Sequence, residues 1–459
     1  MSDSIACVRA DLSEEDRMKC AAAKQEIASQ RWLGRLPDGW TSKRLKYLST
    51  INDETLPETV APDYELLYVD IGSVDATEGI QKKEPMIFET APSRARRIVR
   101  DGDTIVSTVR TYLRAVAPIR NPEDNLIVST GFAVVRPKGM DPHYLAYSLR
   151  SSYFIETVVS RSVGVSYPAT NPSEISCIEL PVPPVEVQGV IARYLDVKTA
   201  RIDELVVQKR ELIGKLKEKR SALIARTVTS GLPPEVANAV GLEPNPEMRD
   251  SEVDWLGYIP AHWGVEKFAR EVYIAEGQVD PEIEPYASMP LIAPNHIESG
   301  TGRLLALETA MDQSAESGKY LCLAGSVIYS KIRPALRKVV IAPVKCLCSA
   351  DMYPLNCLKK LTNEYLYWLL LSHQFSAWSV LEADRVAMPK INRETLNELR
   401  LPVPPIVEQT KIAEYLAVET GKIDQFISKV EEATSRLTEY RQAVITSAIT
   451  GKIDIRGLA

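Results

Sequence analysis

Leu180-Pro-Val-Pro-Pro184 recurs as Leu401-Pro-Val-Pro-Pro405, 221 residues further along the chain. From there through Asp203, 14 of 24 positions are identical, among them Gln188/Gln409, Tyr194/Tyr415, Leu195/Leu416 and Ile202-Asp203/Ile423-Asp424. The match runs on without a gap to Arg220/Arg441 and Thr229/Thr450. Upstream, Trp32-Leu-Gly34 with Pro37 and Trp40 returns as Trp255-Leu-Gly257 with Pro260 and Trp263, at offset 223. At that same offset, Gly102, Ile105, Ser107, Arg110 and Leu113-Arg114 match Gly325, Ile328, Ser330, Arg333 and Leu336-Arg337. A near-constant offset over several blocks is the signature of a duplicated structural unit. The 459 residues are two copies of one unit, so whatever one copy folds into, the other must also satisfy.

Each copy has two parts. The first mixes short β-rich runs, such as Asp103–Ser107 and Ser326–Ser330, with turn residues and one helical stretch, Pro142–Phe154 or Asn363–Phe375. That pattern predicts an α+β domain. The second part follows the Pro-Pro stop and reads as a long amphipathic helix over 185–229 and 406–450. In the second copy Leu416, Ile423, Val430, Leu437 and Val444 fall every seven residues, with Phe426 on a companion column. The first copy gives Leu195, Ile202, Leu216 and Leu223 with Leu205 and Leu212 beside them, interrupted by Lys209. Such a narrow heptad seam needs a partner helix, which the other copy supplies. The expected fold class is α+β: two repeated domains, each followed by a long helix, the helices pairing as an antiparallel coiled coil with pseudo-two-fold symmetry. The expected boundaries are an N-terminal extension (1–30), a first α+β domain (31–184), its helix (185–230) and a linker (231–253). A second α+β domain (254–405) and a second helix with its tail (406–459) complete the chain.

The formal net charge is -6, so nucleic acid would have to be met by local basic patches. Two such islands occupy corresponding places. Arg94, Arg96, Arg97, Arg100, Arg110, Arg114 and Arg120 face only Asp101 and Asp103 in their segment; Lys319, Lys331, Arg333, Arg337, Lys338 and Lys345 face no acid at all. A charge run is usually a solvated face, but two aligned by a repeat favour phosphate contact. Arg-Xaa3-Arg in both copies suits it, because guanidinium binds phosphate or guanine bidentately. A second paired loop, Gly164–Asn171 and Arg385–Asn392, offers Tyr167, Thr170 and Asn171, or Lys390, Asn392 and Arg393, to bases or backbone. Either asparagine reads equally well as a helix cap.

Catalytic signatures are missing: there is no GxxxxGK[ST] loop, GxSxG elbow or HExxH helix. The [DNS]-P-P-[YFW] tetrapeptide that holds a flipped base in amino-methyltransferases is missing too. Cys346-Leu-Cys348 with Cys322 and Cys357 matches no zinc spacing, so buried free thiols and no metal site are expected. Seven scattered cysteines, no signal-peptide layout and no long apolar run point to the cytoplasm.

Two variable α+β domains, each followed by Leu-Pro-Val-Pro-Pro, a glutamine, Ile-Ala-x-Tyr-Leu and a long helix, resemble the specificity subunit of type I restriction–modification enzymes. The resemblance covers residues 32–455. It departs at Val185-Glu-Val-Gln188, where the second copy has Ile406-Val-Glu-Gln409, and in the additional N-terminal residues. It implies a non-catalytic subunit that reads a bipartite double-stranded DNA target with one domain per half-site. It also implies recruitment of two methyltransferase subunits and of restriction/translocase subunits, with S-adenosylmethionine, ATP and Mg belonging to those partners and no cofactor to this chain. The alternatives are a DNA-modifying enzyme (methyltransferase or nuclease) with an unrecognised site, or a coiled-coil assembly scaffold without DNA contact.

Overall fold

The computed structural model describes residues 33–164, 166–383 and 389–453. The N-terminal extension, Trp32, Val165, Arg385, Val386, Met388 and the last six residues lie outside the described residues. The chain divides into two compact units: one reaches Gln208 and resumes at Ala433, the other is Lys209–Glu432. Each therefore holds one recognition domain, the opening turns of the helix that follows it, and the closing turns of the other long helix.

In the first unit an antiparallel sheet has the order Ser49–Ile51, Phe132–Pro137, Thr104–Ser107, Val116–Pro118. A second sheet has the order Glu84–Ile87, Glu65–Val69, Leu126–Ser129, Ala95–Ile98, with its central pair parallel. Thr104–Ser107 and Leu126–Ser129 are buried at every position, which is why their apolar residues, Ile105-Val106 and Leu126-Ile-Val128, run consecutively instead of alternating. The second unit repeats the plan. Val272–Ile274, Met352–Cys357, Val327–Ser330 and Val339–Ile341 form the antiparallel sheet. Gln278–Val279, Lys319–Cys322, Cys346–Cys348, Pro290–Ile292 and Glu308–Thr309 form the other, again with one parallel pair.

The helical stretch expected over 142–154 is two helices, Pro142–Leu149 and Ser152–Ser160, and its copy is Asn363–Leu371 and His373–Glu382. The break falls at a serine: Ser151 and Ser372 adopt extended backbone and their hydroxyls accept from the amides of Phe154 and Phe375. An N-cap serine starts a new helix where periodicity alone suggests continuation.

Leu-Pro-Val of the repeated motif forms an edge strand in each unit, pairing with Thr41–Arg44 or Gly264–Lys267. The two prolines that follow have no amide to donate and release the chain from the sheet. The long helices then run Val185–Ser230 and Ile406–Ile449. Within the first unit Ile191 and Leu195 share a core with Val444, Ile445, Ala448 and Ile449, while Asp203 meets Arg441. Within the second, Ile412 and Leu416 share a core with Ile224 and Val228, while Asp424 meets Arg220. In both, rising numbers on one helix meet falling numbers on the other, which is the antiparallel direction. The class read from the repeat, α+β domains each with a long helix, is therefore the class of this fold. The end of each helix is also held from the neighbouring domain: the hydroxyl of Tyr144, which donates to the Pro181 carbonyl at 3.0 Å, also reaches the Ile449 carbonyl at 3.4 Å, and that of Tyr365 donates to the Val228 carbonyl at 2.8 Å. These are repeat mates bonding repeat mates.

The seam differs from the expected one by a single column. Leu195, Ile202, Leu416, Val430 and Val444 are buried, and Leu216, Leu223, Ile423 and Leu437 half-buried. Leu205, Leu212 and Phe426, however, are exposed at 45%, 37% and 48%. Thr199, Val206, Arg220 and Thr227, and Thr420, Ile427, Arg441 and Ala448, are buried instead. These lie four residues beyond the first column where the expectation took three. The occupied column is largely polar, and it is tolerated because its groups are bonded: Tyr147 to Thr199 at 3.1 Å, Thr420 to the Leu416 carbonyl, and each arginine to an aspartate.

Candidate nucleic-acid interface

In each unit the sequence after a fully buried strand turns back through one 3-10 turn, Thr111–Leu113 or Pro334–Leu336. The flanking residues are arginines in the left-handed region: Arg110 and Arg114 at φ 50° and 53°, Arg333 and Arg337 at φ 49° and 47°. An L-residue there costs on the order of 1–3 kcal/mol, and such strain concentrates at binding and catalytic loops. Glycine would remove the strain, so it is the guanidinium that the turn supplies at these points.

The second predicted loop lies against this turn in both units. Val109 bridges Ala169, the Thr170 amide donates to the Thr108 carbonyl at 2.8 Å, and the Thr111 amide reaches the Pro168 carbonyl at 3.4 Å. In the second unit Ile332 bridges Lys390, the Arg333 amide donates to the Pro389 carbonyl at 2.8 Å, and the Ile391 amide to the Lys331 carbonyl at 2.9 Å. The two segments singled out separately in the sequence are thus one surface. Arg110 lies over the Tyr167 ring, 5.3 Å from its centre, and Lys331 lies 5.3 Å from that of Tyr353.

The remaining predicted residues divide sharply. Arg94 bonds the Tyr68 hydroxyl and Asp70, which hold its charge more firmly than usual. Arg96 stacks on Phe88. Arg97 is half-buried, donates to Thr55 and is pushed down by burial. Arg114 pairs with Glu156 at 2.6 Å. Arg337 turns inward to Ser221, and burial beside Arg220 lowers it. Lys338 donates to the Pro294 carbonyl. Arg393 donates to the carbonyls of Ile274 and Ala275 and stacks on Tyr353. Asn392 caps the helix Arg393–Glu398 through the Thr395 amide at 2.7 Å, whereas Asn171 makes no such bond to the helix it precedes. Among the described residues, Arg110 and Arg333 have no carboxylate within ion-pair distance; Arg110 with exposed Tyr167 is the available part of the first unit's surface, and Arg333 with exposed Lys390 that of the second. Exposed Tyr112, between Arg110 and Arg114, belongs to the first unit's surface as well. Charge counting passes over it because it carries none.

No group of metal-binding side chains occurs among the described residues. Cys322, Cys346 and Cys348 are buried free thiols, while Cys357 is half-buried and pushed up to about 12 by burial. No described helix is long and apolar enough to cross a membrane. The geometry is that of a duplicated recognition module, with one strained, basic turn braced by one loop in each copy.

The family described as the type I restriction modification DNA specificity domain matches residues 37–214 and 272–431. A relative, the type I restriction enzyme EcoDI specificity subunit of Escherichia coli, is 28% identical over 328 residues, covering 70% of this chain and 72% of that one. The putative type I restriction enzyme MjaX specificity subunit of Methanocaldococcus jannaschii is 20% identical over 465 residues, covering 94% and 98%. A solved structure titled for complex assembly and conformational transition of the type I R-M system shares the fold, with a TM-score of 0.67 at 22% identity over 91% of this chain and all of that one. The chain belongs to the family of type I restriction–modification DNA specificity subunits, and it is a DNA-recognition component, not an enzyme.

Proposed function

We propose that the chain reads a bipartite duplex DNA target, with domain 31–184 serving one half-site and domain 254–405 the other. The linker 231–253 joins the two copies. Two methyltransferase subunits assemble on it, and restriction/translocase subunits join them. S-adenosylmethionine, ATP and Mg arrive with those partners, in the cytoplasm. The observation that carries this reading is the recurrence, in two separate units, of the same arginine-flanked turn against the same loop. Duplication of a reading surface suits a split site. Exposed apolar helix positions also recur at the repeat offset, Val185, Val197 and Leu205 against Ile406, Val418 and Phe426, which suits two copies of one partner.

The test is to sequence DNA methylation in cells carrying the methyltransferase subunit with and without this chain. A split motif should be modified only with it. Replacing Arg333 by alanine in the second unit should cost about 1–3 kcal/mol at one position for a base contact, or weaken all sequences and lower the salt slope by about 1 for a phosphate contact. An unchanged methylome, or purified chain that itself binds S-adenosylmethionine or cuts DNA, would contradict the proposal.

A further inference from the structure

Resting on that reading, we infer that Arg110, oriented by Tyr167, is the residue that recognises a guanine in the first half-site. The other arginines of its island are committed within the chain: Arg94, Arg100, Arg114 and Arg120 to Asp70, Glu54, Glu156 and Asp196, Arg96 to the Phe88 ring, and Arg97 to Thr55. Arg110 alone among these seven has neither a carboxylate nor a hydrogen-bond acceptor among the described residues. Like Arg114 it is exposed and stands on a left-handed backbone, at φ 50° and ψ 47°, but without an acid beside it. Among the described residues its side chain lies over the Tyr167 ring, itself 68% exposed.

The Tyr167 ring, 5.3 Å from the guanidinium carbon, restrains the side chain by cation–π attraction and leaves its N–H groups free to donate, and the guanidinium fork fits O6 and N7 of guanine in the major groove. Both partners are held by one backbone, through the Val109–Ala169 bridge and the bond from the Thr111 amide to the Pro168 carbonyl. Gly164, at φ 114°, lets the loop close: a Cβ there would stand 3.1 Å from the Tyr167 carbonyl oxygen. Orientation of this kind suits a base edge more than a phosphate, which a long flexible cation meets equally well from many directions. The second copy has Arg333 in the same backbone setting but Met388 in place of Tyr167 in the sequence. The arginine–tyrosine pair therefore belongs to the first half-site.

The experiment maps the methylated motif in cells carrying the full chain and its methyltransferase, for wild type, R110Q, R110K, R110G, Y167F and Y167L. In wild type the first half-site should contain a required guanine. R110Q and R110G should relax that one position by roughly tenfold to a hundredfold, R110K should relax it nearly as far, and the second half-site should stay as it was. Y167L should relax the same position, and Y167F, which keeps the stacking face, should not. R110G should melt no lower than wild type because glycine removes the left-handed strain, which separates lost reading from lost folding. A first half-site without guanine, an unaltered motif in R110Q, or a uniform loss across sequences with a salt slope lower by about 1 would each overturn the assignment, the last making Arg110 a phosphate contact. No split motif even in wild type would sink the bipartite-target reading, a failure that the other outcomes cannot produce.

Discussion

Replacing Asp203 by alanine should destabilise the first unit by roughly 3 kcal/mol or more, and replacing Asp424 should destabilise the second by somewhat less. Removing one partner of a buried pair leaves an uncompensated charge, at about 3–5 kcal/mol; nearly half-exposed carboxylates place these pairs at the low end. Arg441 and Arg220 are almost fully buried, with side chains 7% exposed, and bond their aspartates at 2.7 and 2.9 Å. The asymmetry comes from what remains after the cut. Arg220 also donates to the carbonyls of Gly300 and Thr301 at 3.1 and 3.0 Å, so D424A leaves it two acceptors. Arg441 has no such second bond among the described residues, and Asp203 also acts on Arg150, whose charge burial and Arg441 already push down to about 10. D203A thus removes the shared counter-charge of two guanidiniums that repel each other. Denaturant unfolding of the full chain measures both variants, and the exchange D203R with R441D should recover most of the loss as a coupling term. Equal small losses, under about 0.5 kcal/mol as for exposed pairs, would show that these are surface salt bridges without structural consequence.

Those two pairs also show what the sequence made legible and what it hid. Identity at a fixed offset revealed that Asp203 and Asp424, and Arg220 and Arg441, are equivalent, and hence the duplicated architecture. It did not reveal that each aspartate is paired crosswise with the arginine of the other copy. In the parallel sense equivalent residues would face like charges; only the antiparallel register neutralises them. The same polarity concealed the true seam, since a reader of apolar periodicity passes over Thr199, Arg220, Thr420 and Arg441 and takes Leu205, Leu212 and Phe426 instead. The basic islands misled differently. Counting charge within a window ignores acids brought in from afar: Glu54, Asp70, Glu156 and Asp196 all lie outside the first island, yet they neutralise four of its seven arginines. What survived was the spacing Arg-Xaa3-Arg, because the turn that produces it is local. Even there the second arginine of each pair is bonded within its own unit, Arg114 to Glu156 and Arg337 to Ser221.

Gln409 explains why a glutamine follows Pro-Pro in both copies, and replacing it by leucine should cost roughly 3 kcal/mol or more. Its amide is fully buried. The side-chain oxygen accepts from the Thr362 amide at 2.8 Å, and the nitrogen donates to the carbonyls of Pro404 and Lys360 at 2.8 and 2.6 Å. One side chain thereby ties the strand end, the start of the long helix and the cap of helix Asn363–Leu371. Leucine fills the volume but strands three backbone groups, each at about 1–3 kcal/mol when left without water. Gln188 makes two of these bonds, to the Asp141 amide at 2.9 Å and the Pro183 carbonyl at 2.9 Å, so Q188L should cost less than Q409L. Q409E sharpens the test. A carboxylate still accepts from Thr362 but is repelled by both carbonyls, so in the folded chain it is held protonated and its pKa lies above the unfolded value near 4.3. The variant should therefore be most stable below that value and lose stability as pH rises through the folded-state pKa, while Q409L shows no such slope. A Q409E variant whose stability relative to wild type is independent of pH would mean that water reaches this clamp and that the glutamine recurs for another reason.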